Sequence, residues 1–371
     1  MEREITEPVD LCLPDGRLNP DAVGWTRTPL HTTNLRGWGR AKRWEYWNVQ
    51  TPAWTLGLTV SHIDYLALHQ VYFADFATGE EIDDTAIVPL ARGPRLEPRS
   101  GAPARARTKK LSLDLIPNTG GVRLVARSPR IEADIQAARP AGHESMGVVI
   151  PWSDKRFQYT VKDNTLPASG SLRVDGVERP VEQAWAVLDH GRGKWPYNNV
   201  WNWGSGSGES DGHAIGLQFG GKWTVGTGMT ENALCVDGIV TKIHDELEWG
   251  YGAWLEPWTV RGPEVDMVFT PAFERASKTN VLAIATETHQ CFGVWNGNGA
   301  QPHGGGGSGI RRRGENALVT APTQTCGFGP HAASIHAFVA GRRAEPRIGV
   351  RQGPDPYVCR GRVGELRFRP Q

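Results

Sequence analysis

Apolar residues in the first half of the chain recur at every second position. In "KLSLDLI" Leu111, Leu113 and Leu115 share one face, in "GVRLVAR" Val122, Leu124 and Ala126 do, and in "IEADIQA" Ile131, Ala133 and Ile135 do. A period of two belongs to strands with one buried and one wet face, so these segments predict half-buried antiparallel strands. Turn signals fall between them at "PNTGG", "SPR", "SDKR" and "VDGVERP", about 8 to 12 residues apart, which suits a meander, sandwich or barrel. The pattern resumes in "HAIGLQFG", "NALCVDGIV" and "EVDMVF" after an interruption near residues 185 to 205. Two β units joined there, with little helix, are the simplest organisation. "ARGPRLEPRSGAPARART", Ala91 to Thr108, is too rich in Pro, Gly and Arg for a strand and predicts a long surface loop.

Length supports two units, because 371 residues exceed what one core usually covers. The expected boundaries are 1–190 for a first barrel with a Trp-rich N-terminal segment, 191–297 for a second and incomplete barrel, and 298–371 for a tail. That tail holds 11 Arg, no Lys and 4 acidic residues, whereas all 15 Trp lie at or before Trp295. A flexible Arg/Gly/Pro tail, a small basic module and a shifted reading frame in GC-rich DNA all fit this composition. No function is placed there.

Charge narrows the partner. The formal net charge is +1 and the charges are scattered, which gives no reason to expect nucleic acid or an anionic membrane. The start "MEREITEPVD" is charged, and no 18-residue apolar run follows, so no transmembrane segment and a soluble, cytoplasmic protein are expected. Five dispersed cysteines form no C-x-x-C pair, and no histidine spacing suits a metal, so neither a disulfide framework nor a metal site is expected. Phosphate-loop, nucleophile-elbow and zincin motifs are absent. In "GWTRTPLHTTNLRGWGRAKRWEYWN", Gly24 to Asn48, basic residues alternate with aromatics. Stacking on single-stranded nucleic acid, lining of a pocket, and Trp and Arg sealing a barrel rim by cation–π contact are the alternatives, with the last favoured.

The densest chemistry lies in "DHGRGKWPYNNVWNWGSGSG", Asp189 to Gly208. "AWAVL" before it reads as a strand, Asp189 to Lys194 as the turn leaving it, and Trp195-Pro196-Tyr197 as a rigid corner. If the backbone is instead extended, Asp189 and His190 point to opposite faces. Either could meet Arg192, and an acid or imidazole held dry against tryptophan could deliver a proton to a substrate. The competing reading makes Asp189 and Arg192 a structural ion pair between the units. Glu231, before the strand-turn pattern of "ENALCVDG", is a second candidate partner for Arg192 or a further acid.

Several ordered segments carry a resemblance. "LCLPDGRLNPDAVGWTRTPL", "KRWEYWNV", "DHGRGKWPYNNVWNWGSGSG", "WTVGTGMTENAL" and "QCFGVWNG" resemble the motifs of the bacterial domain-of-unknown-function family 2804, over about Ile5 to Gly297. The tail departs from that family. More distantly, "AWAVLDHGRG…WNWG…IGLQFG" resembles the junction of carotenoid hydratase, AttH-like proteins and tocopherol cyclase. That resemblance implies two lipocalin-like antiparallel β-barrels in tandem and a hydrophobic ligand of terpenoid, lipid or polyketide type. It also implies that an acid acts on an unsaturated substrate without a cofactor. Carried to this chain, Asp189 and His190 become candidate proton donors, and Trp185, Trp201 and Trp203 become aromatic walls, with Arg192, Trp195, Tyr197 and Glu231 completing the expected site. Arg192 stands where the hydratase motif has a bulky aromatic. A hydratase, cyclase or isomerase is the leading expectation. A non-catalytic carrier and a structural β protein with filled barrels are the alternatives.

Overall fold

A computed structural model describes residues 1–94, 96–281, 284–299 and 324–327. In chain order the elements begin with β1 (Val9–Asp10), a 3-10 turn at Pro20–Ala22, β2 (Trp25–Thr26), β3 (His31–Thr32) and β4 (Ala41–Gln50). Next come β5 (Trp54–His62), β6 (Leu66–Asp75), β7 (Glu81–Pro89), β8 (Ala104–Arg107), β9 (Ser112–Asn118) and β10 (Gly121–Arg127). The first part ends with β11 (Ile131–Ala138), β12 (Met146–Ser153), β13 (Arg156–Val174), β14 (Val177–Arg179) and β15 (Ala184–Lys194). The second part runs through β16 (Asn202–Ser210), β17 (His213–Gly221), β18 (Asn232–Val236), β19 (Ile239–Ile243) and β20 (Glu248–Gly250). It closes with β21 (Trp258–Gly262), β22 (Val265–Val281), β23 (Ile284–Gly299) and β24 (Gln324–Gly327).

Most of these strands make two large antiparallel sheets, and the expectation of an all-β antiparallel fold with little helix is borne out. The first follows the order β7-β6-β5-β4-β15-β13-β11-β10-β9-β8, and the second β19-β18-β17-β16-β24-β23-β22-β21-β20. The first curls on itself: Ile82 from β7 and Ala104 and Ala106 from β8, at opposite ends of the order, share one core with Val49, Leu58, Leu113, Leu124, Ile135 and Leu188. The period-two segments supply that core as expected, since Leu111, Leu113, Leu115, Leu124, Ala126, Ile131, Ala133 and Ile135 are all buried. A second core gathers Leu217, Phe219, Trp258, Phe269 and Trp295. No helix among the described residues is long and apolar enough to cross a membrane.

Two details depart from the sequence reading. The expected loop from Ala91 to Thr108 contains β8, where Ala104 and Ala106 are buried and Arg105 and Arg107 exposed. Alternation survives there because the arginines occupy the solvent face, their guanidinium groups paired with Asp114. The expected turn from Asp189 to Lys194 is instead the second half of β15, paired on both sides, and the chain leaves the sheet only after Lys194. Of the region expected as a tail, Asn298 and Gly299 end β23, Gln324–Gly327 pairs with β16 and β23, and the rest lies outside the described residues.

β13 joins the two parts. Its pairing to β15 skips between Asp163 and Leu166, a bulge that swings successive side chains to different sides. Thr165 takes φ +63° there, a strained value for a β-branched residue. The second sheet holds it: Thr165 N donates to Ser207 Oγ at 2.9 Å, and Asn164 Nδ2 donates to the Leu217 carbonyl at 2.8 Å. Gly216 makes room, since a Cβ at that position would overlap the Thr165 hydroxyl.

Candidate functional site

β15 runs between β4 and β13, and its extended backbone sends alternate side chains to opposite faces. Ala184, Ala186, Leu188, His190 and Arg192 face the interior of the first sheet. Asp189, Gly191 and Gly193 face the junction with the second. Asp189 and His190 are therefore neighbours in sequence that belong to different environments.

On the interior face, His190 lies opposite Glu45 of β4. His190 Nδ1 and Glu45 Oε1 are 2.7 Å apart, and Arg192 donates to the same oxygen at 2.6 Å. Arg192 also donates to the carbonyls of Trp44 and Gly191 at 2.8 and 2.9 Å. Burial opposes charge on Glu45, but His190 and Arg192 outweigh it and hold the carboxyl below its ordinary range. Burial and Arg192 push the His190 imidazole below its ordinary range against the pull of Glu45. An ionised carboxylate only accepts, hence the proton sits on Nδ1. His190 Nε2 is buried without a hydrogen-bond partner. The His190 and Arg192 bonds both go to Glu45 Oε1, and Oε2 makes none among the described residues.

Above this pair lies a cavity of about 430 Å³, lined among others by Glu45, Trp47, Leu115, Val122, Val161 and Leu188. A second carboxylate, Asp163, lines its other side. His143 Nε2 lies 3.0 Å from Asp163 Oδ1, and Arg139 from the cavity rim pairs with Oδ2. Burial and Arg139 push the His143 imidazole down to about 4. The cavity thus has two carboxylates, each flanked by one guanidinium and one imidazole. The strand register explains the placement: Tyr159, Val161 and Asp163 fill successive inward positions of β13, with Asp163 opposite Leu188.

On the junction face, Asp189 Oδ1 accepts from Lys162 Nζ at 2.8 Å, and Glu231 Oε2 lies 3.4 Å from the same ammonium. Lys162 sits 4.5 Å from the centre of the Trp203 ring. Glu231 Oε1 accepts from Trp223 Nε1 at 2.8 Å, and burial pushes its carboxyl up to about 7 despite Lys162. Beside this triad Trp195 stacks on Trp223 at 6.0 Å and meets Trp44, Trp152 and Trp201 edge-on at 5.4 to 5.8 Å. Gly191 lets Trp44 lie flat on the sheet, because a Cβ there would enter the indole ring.

The structure therefore divides the nine residues singled out from sequence. Asp189, Glu231 and Trp203 meet at Lys162, and Trp195 and Trp201 join the adjacent tryptophan cluster. Tyr197 is exposed beneath Arg40, 3.2 Å from ring centre to guanidinium. Trp185 lies half-buried opposite Gln50 and Pro167. None of these lines the 430 Å³ cavity. His190 and Arg192 reach it through Glu45. Arg192 pairs with Glu45, not with Asp189 or Glu231, so the ion pairs expected from sequence are replaced. Glu45, Arg139, His143, Lys162 and Asp163 were not singled out. Glu45 and Asp163 did leave a signal: "WEYW" and "YTVKD" each put an acid on the inward side of a period-two strand.

Among the described residues, no three His, Cys, Asp or Glu side chains are grouped to hold a metal ion. Curated proteins offer no sequence match. Solved structures do. An AttH from Nitrosomonas europaea is 14% identical, with 80% of this chain and 93% of that chain covered and a TM-score of 0.49. Kievitone hydratase from Nectria haematococca is 10% identical, with 80% and 89% covered and a TM-score of 0.45. CghA with Sch210972 is 12% identical, with 82% and 89% covered and a TM-score of 0.48. The family described as "Domain of unknown function (DUF2804)" matches residues 2–305, and the chain belongs to that family.

Proposed function

We propose that the first sheet encloses the binding site of a small, mostly apolar molecule, and that the Glu45–His190 pair performs acid–base chemistry of the hydratase or isomerase type on it. One observation carries this reading. The cavity of about 430 Å³ is walled by Trp47, Leu115, Val122, Val161 and Leu188 and has a buried, oriented carboxylate at its base. Sites for small ligands have this size and this mixture of apolar wall and few polar groups. His190 and Arg192 fix Glu45 through one oxygen and leave the other for the ligand, the arrangement a proton acceptor needs. The chemistry needs no redox cofactor.

A carrier is the second reading, and a specific observation favours it: His190 and Arg192 hold Glu45 low. A carboxylate so held accepts hydrogen bonds well and abstracts protons poorly. Native mass spectrometry after exposure to a lipid and terpenoid extract separates the readings. A ligand released with water added or lost supports a hydratase, and one of unchanged mass but shifted retention supports an isomerase. A ligand unchanged in both is the carrier result, and capture of no ligand contradicts both readings.

A further inference from the structure

The cavity's charges are balanced before any ligand enters. Its acidic lining residues are Glu45 and Asp163, and its basic lining residue is Arg139. Arg139 is paired to Asp163, and Arg192 stands behind Glu45, 2.6 Å from Oε1. Burial pushes both imidazoles beside these carboxylates, His143 and His190, toward the neutral form. Each carboxylate thus has its own guanidinium, and among the described lining residues no cation is left for a ligand's anion. A charged ligand would leave one uncompensated charge against Glu45, which is itself buried, in a partly open cavity walled by Trp47, Leu115, Val122, Val161 and Leu188, and an unpaired ion taken out of water is disfavoured there.

The hydrogen-bonding groups are committed as unevenly as the charges are balanced. Asp163 spends one oxygen on His143 and the other on Arg139. Arg192 donates to Glu45, to Trp44 and Gly191, and to the Glu97 carbonyl at 3.3 Å. Glu45 spends one oxygen on both of its partners and has the other to offer. That oxygen can only accept, so the complementary ligand atom is a donor. The donor must arrive without a charge.

Resting on the cavity reading above, we propose that the ligand is a neutral hydroxyl compound, an alcohol, phenol or enol with a mainly apolar body, whose O–H donates to Glu45 Oε2. An ammonium could also donate, but it would make the balanced site net positive. A carboxylate would face Glu45 with like charge. Selection by charge therefore comes from the two carboxylate–guanidinium pairs, and selection by donor from Glu45.

Titration calorimetry at pH 7.5 with 1-decanol, decanoate and decylammonium, below their micelle concentrations, tests this on the whole chain and on Val122→Trp, which fills the cavity from its half-buried wall. Decanol is expected to bind at least tenfold tighter than either ion, and to lose that binding in Val122→Trp. Decanoate or decylammonium binding as tightly as decanol, with the same loss in Val122→Trp, would overturn the neutral-ligand inference and leave the cavity reading standing. Failure of all three probes to bind, or binding that Val122→Trp does not weaken, would overturn the cavity reading and this inference together.

Discussion

Glu45 and His190 stand opposite each other on neighbouring strands, and their 2.7 Å hydrogen bond is sealed from solvent, with His190 0% and Glu45 6% exposed. Arg192 completes a buried trio. Removing the carboxylate strands a guanidinium in the interior, so Glu45→Ala should destabilise the chain by about 3–5 kcal/mol. Replacing both ions, Glu45→Met with Arg192→Met, should cost much less than Glu45→Ala alone. Urea midpoints of the three proteins check this, and a double variant weaker than the single one would contradict it.

Acid should weaken the fold through His31. Burial pushes this imidazole down to about 4, while its Nε2 lies 2.9 Å from the Ala22 carbonyl. Its folded pKa lies below the unfolded value near 6.5, so the unfolded chain takes up the proton first. The contribution is whole above pH 6.5 and erodes as the pH falls toward 4. Between pH 7.5 and 5 the loss should be about 2 kcal/mol. His31→Gln should flatten the stability–pH curve by that amount, and an unchanged slope would contradict the burial argument.

Glu231 acts with the opposite sign. Its folded pKa, about 7, lies above the unfolded value, so it costs stability wherever the unfolded chain is already ionised. The cost is absent below about pH 4.5 and complete above about pH 7. Lys162 limits it. Lys162→Met should therefore be destabilising at any pH, with the largest gap from wild type at pH 8 and a smaller one at pH 5.5. Equal gaps at both pH values would show that Lys162 does not hold Glu231.

The bulge at Asn164–Thr165 should be sensitive to one methyl group. Gly216→Ala places a Cβ onto the Thr165 hydroxyl and the Asn164 amide. Overpacking of this kind costs about 1–3 kcal/mol. The same group on Gly176, where nothing lies within 4 Å but φ is +77°, isolates backbone strain from crowding. Thermal unfolding should show Gly216→Ala shifted further than Gly176→Ala.

Asp189→Asn should lower stability through Lys162 yet leave decanol affinity within about twofold. Asp189 faces the junction, on the opposite side of β15 from the cavity. A large loss of affinity in a folded Asp189→Asn protein would place the ligand at the junction instead.

Strand content was legible because one face of each strand is buried, so Leu111, Leu113 and Leu115 announced themselves by alternation. β8 was hidden because its inward residues are alanines and its outward ones arginines, a composition that reads as loop. β15 reads as a turn beyond Leu188 because Gly191 and Gly193 look like turn residues, whereas they are small to admit Trp44 and Gln158. Asp189, His190, Arg192 and Glu231 were found by their chemistry. Their partners Glu45, Lys162 and Asp163 are distant in sequence, and no local spacing reveals which acid meets which base. The cavity itself is a property of curvature and side-chain volume, which alternation does not encode.

In the proposed site the ligand lies inside the first sheet, above Glu45 and His190. Methyl-resolved NMR during titration with 1-decanol tests it most directly. Shifts should concentrate at Leu115, Val122, Val161 and Leu188, while Leu217, Leu234 and Val260 of the second core stay in place. Shifts confined to the second core, with the methyl groups of these four cavity residues unmoved, would contradict that placement.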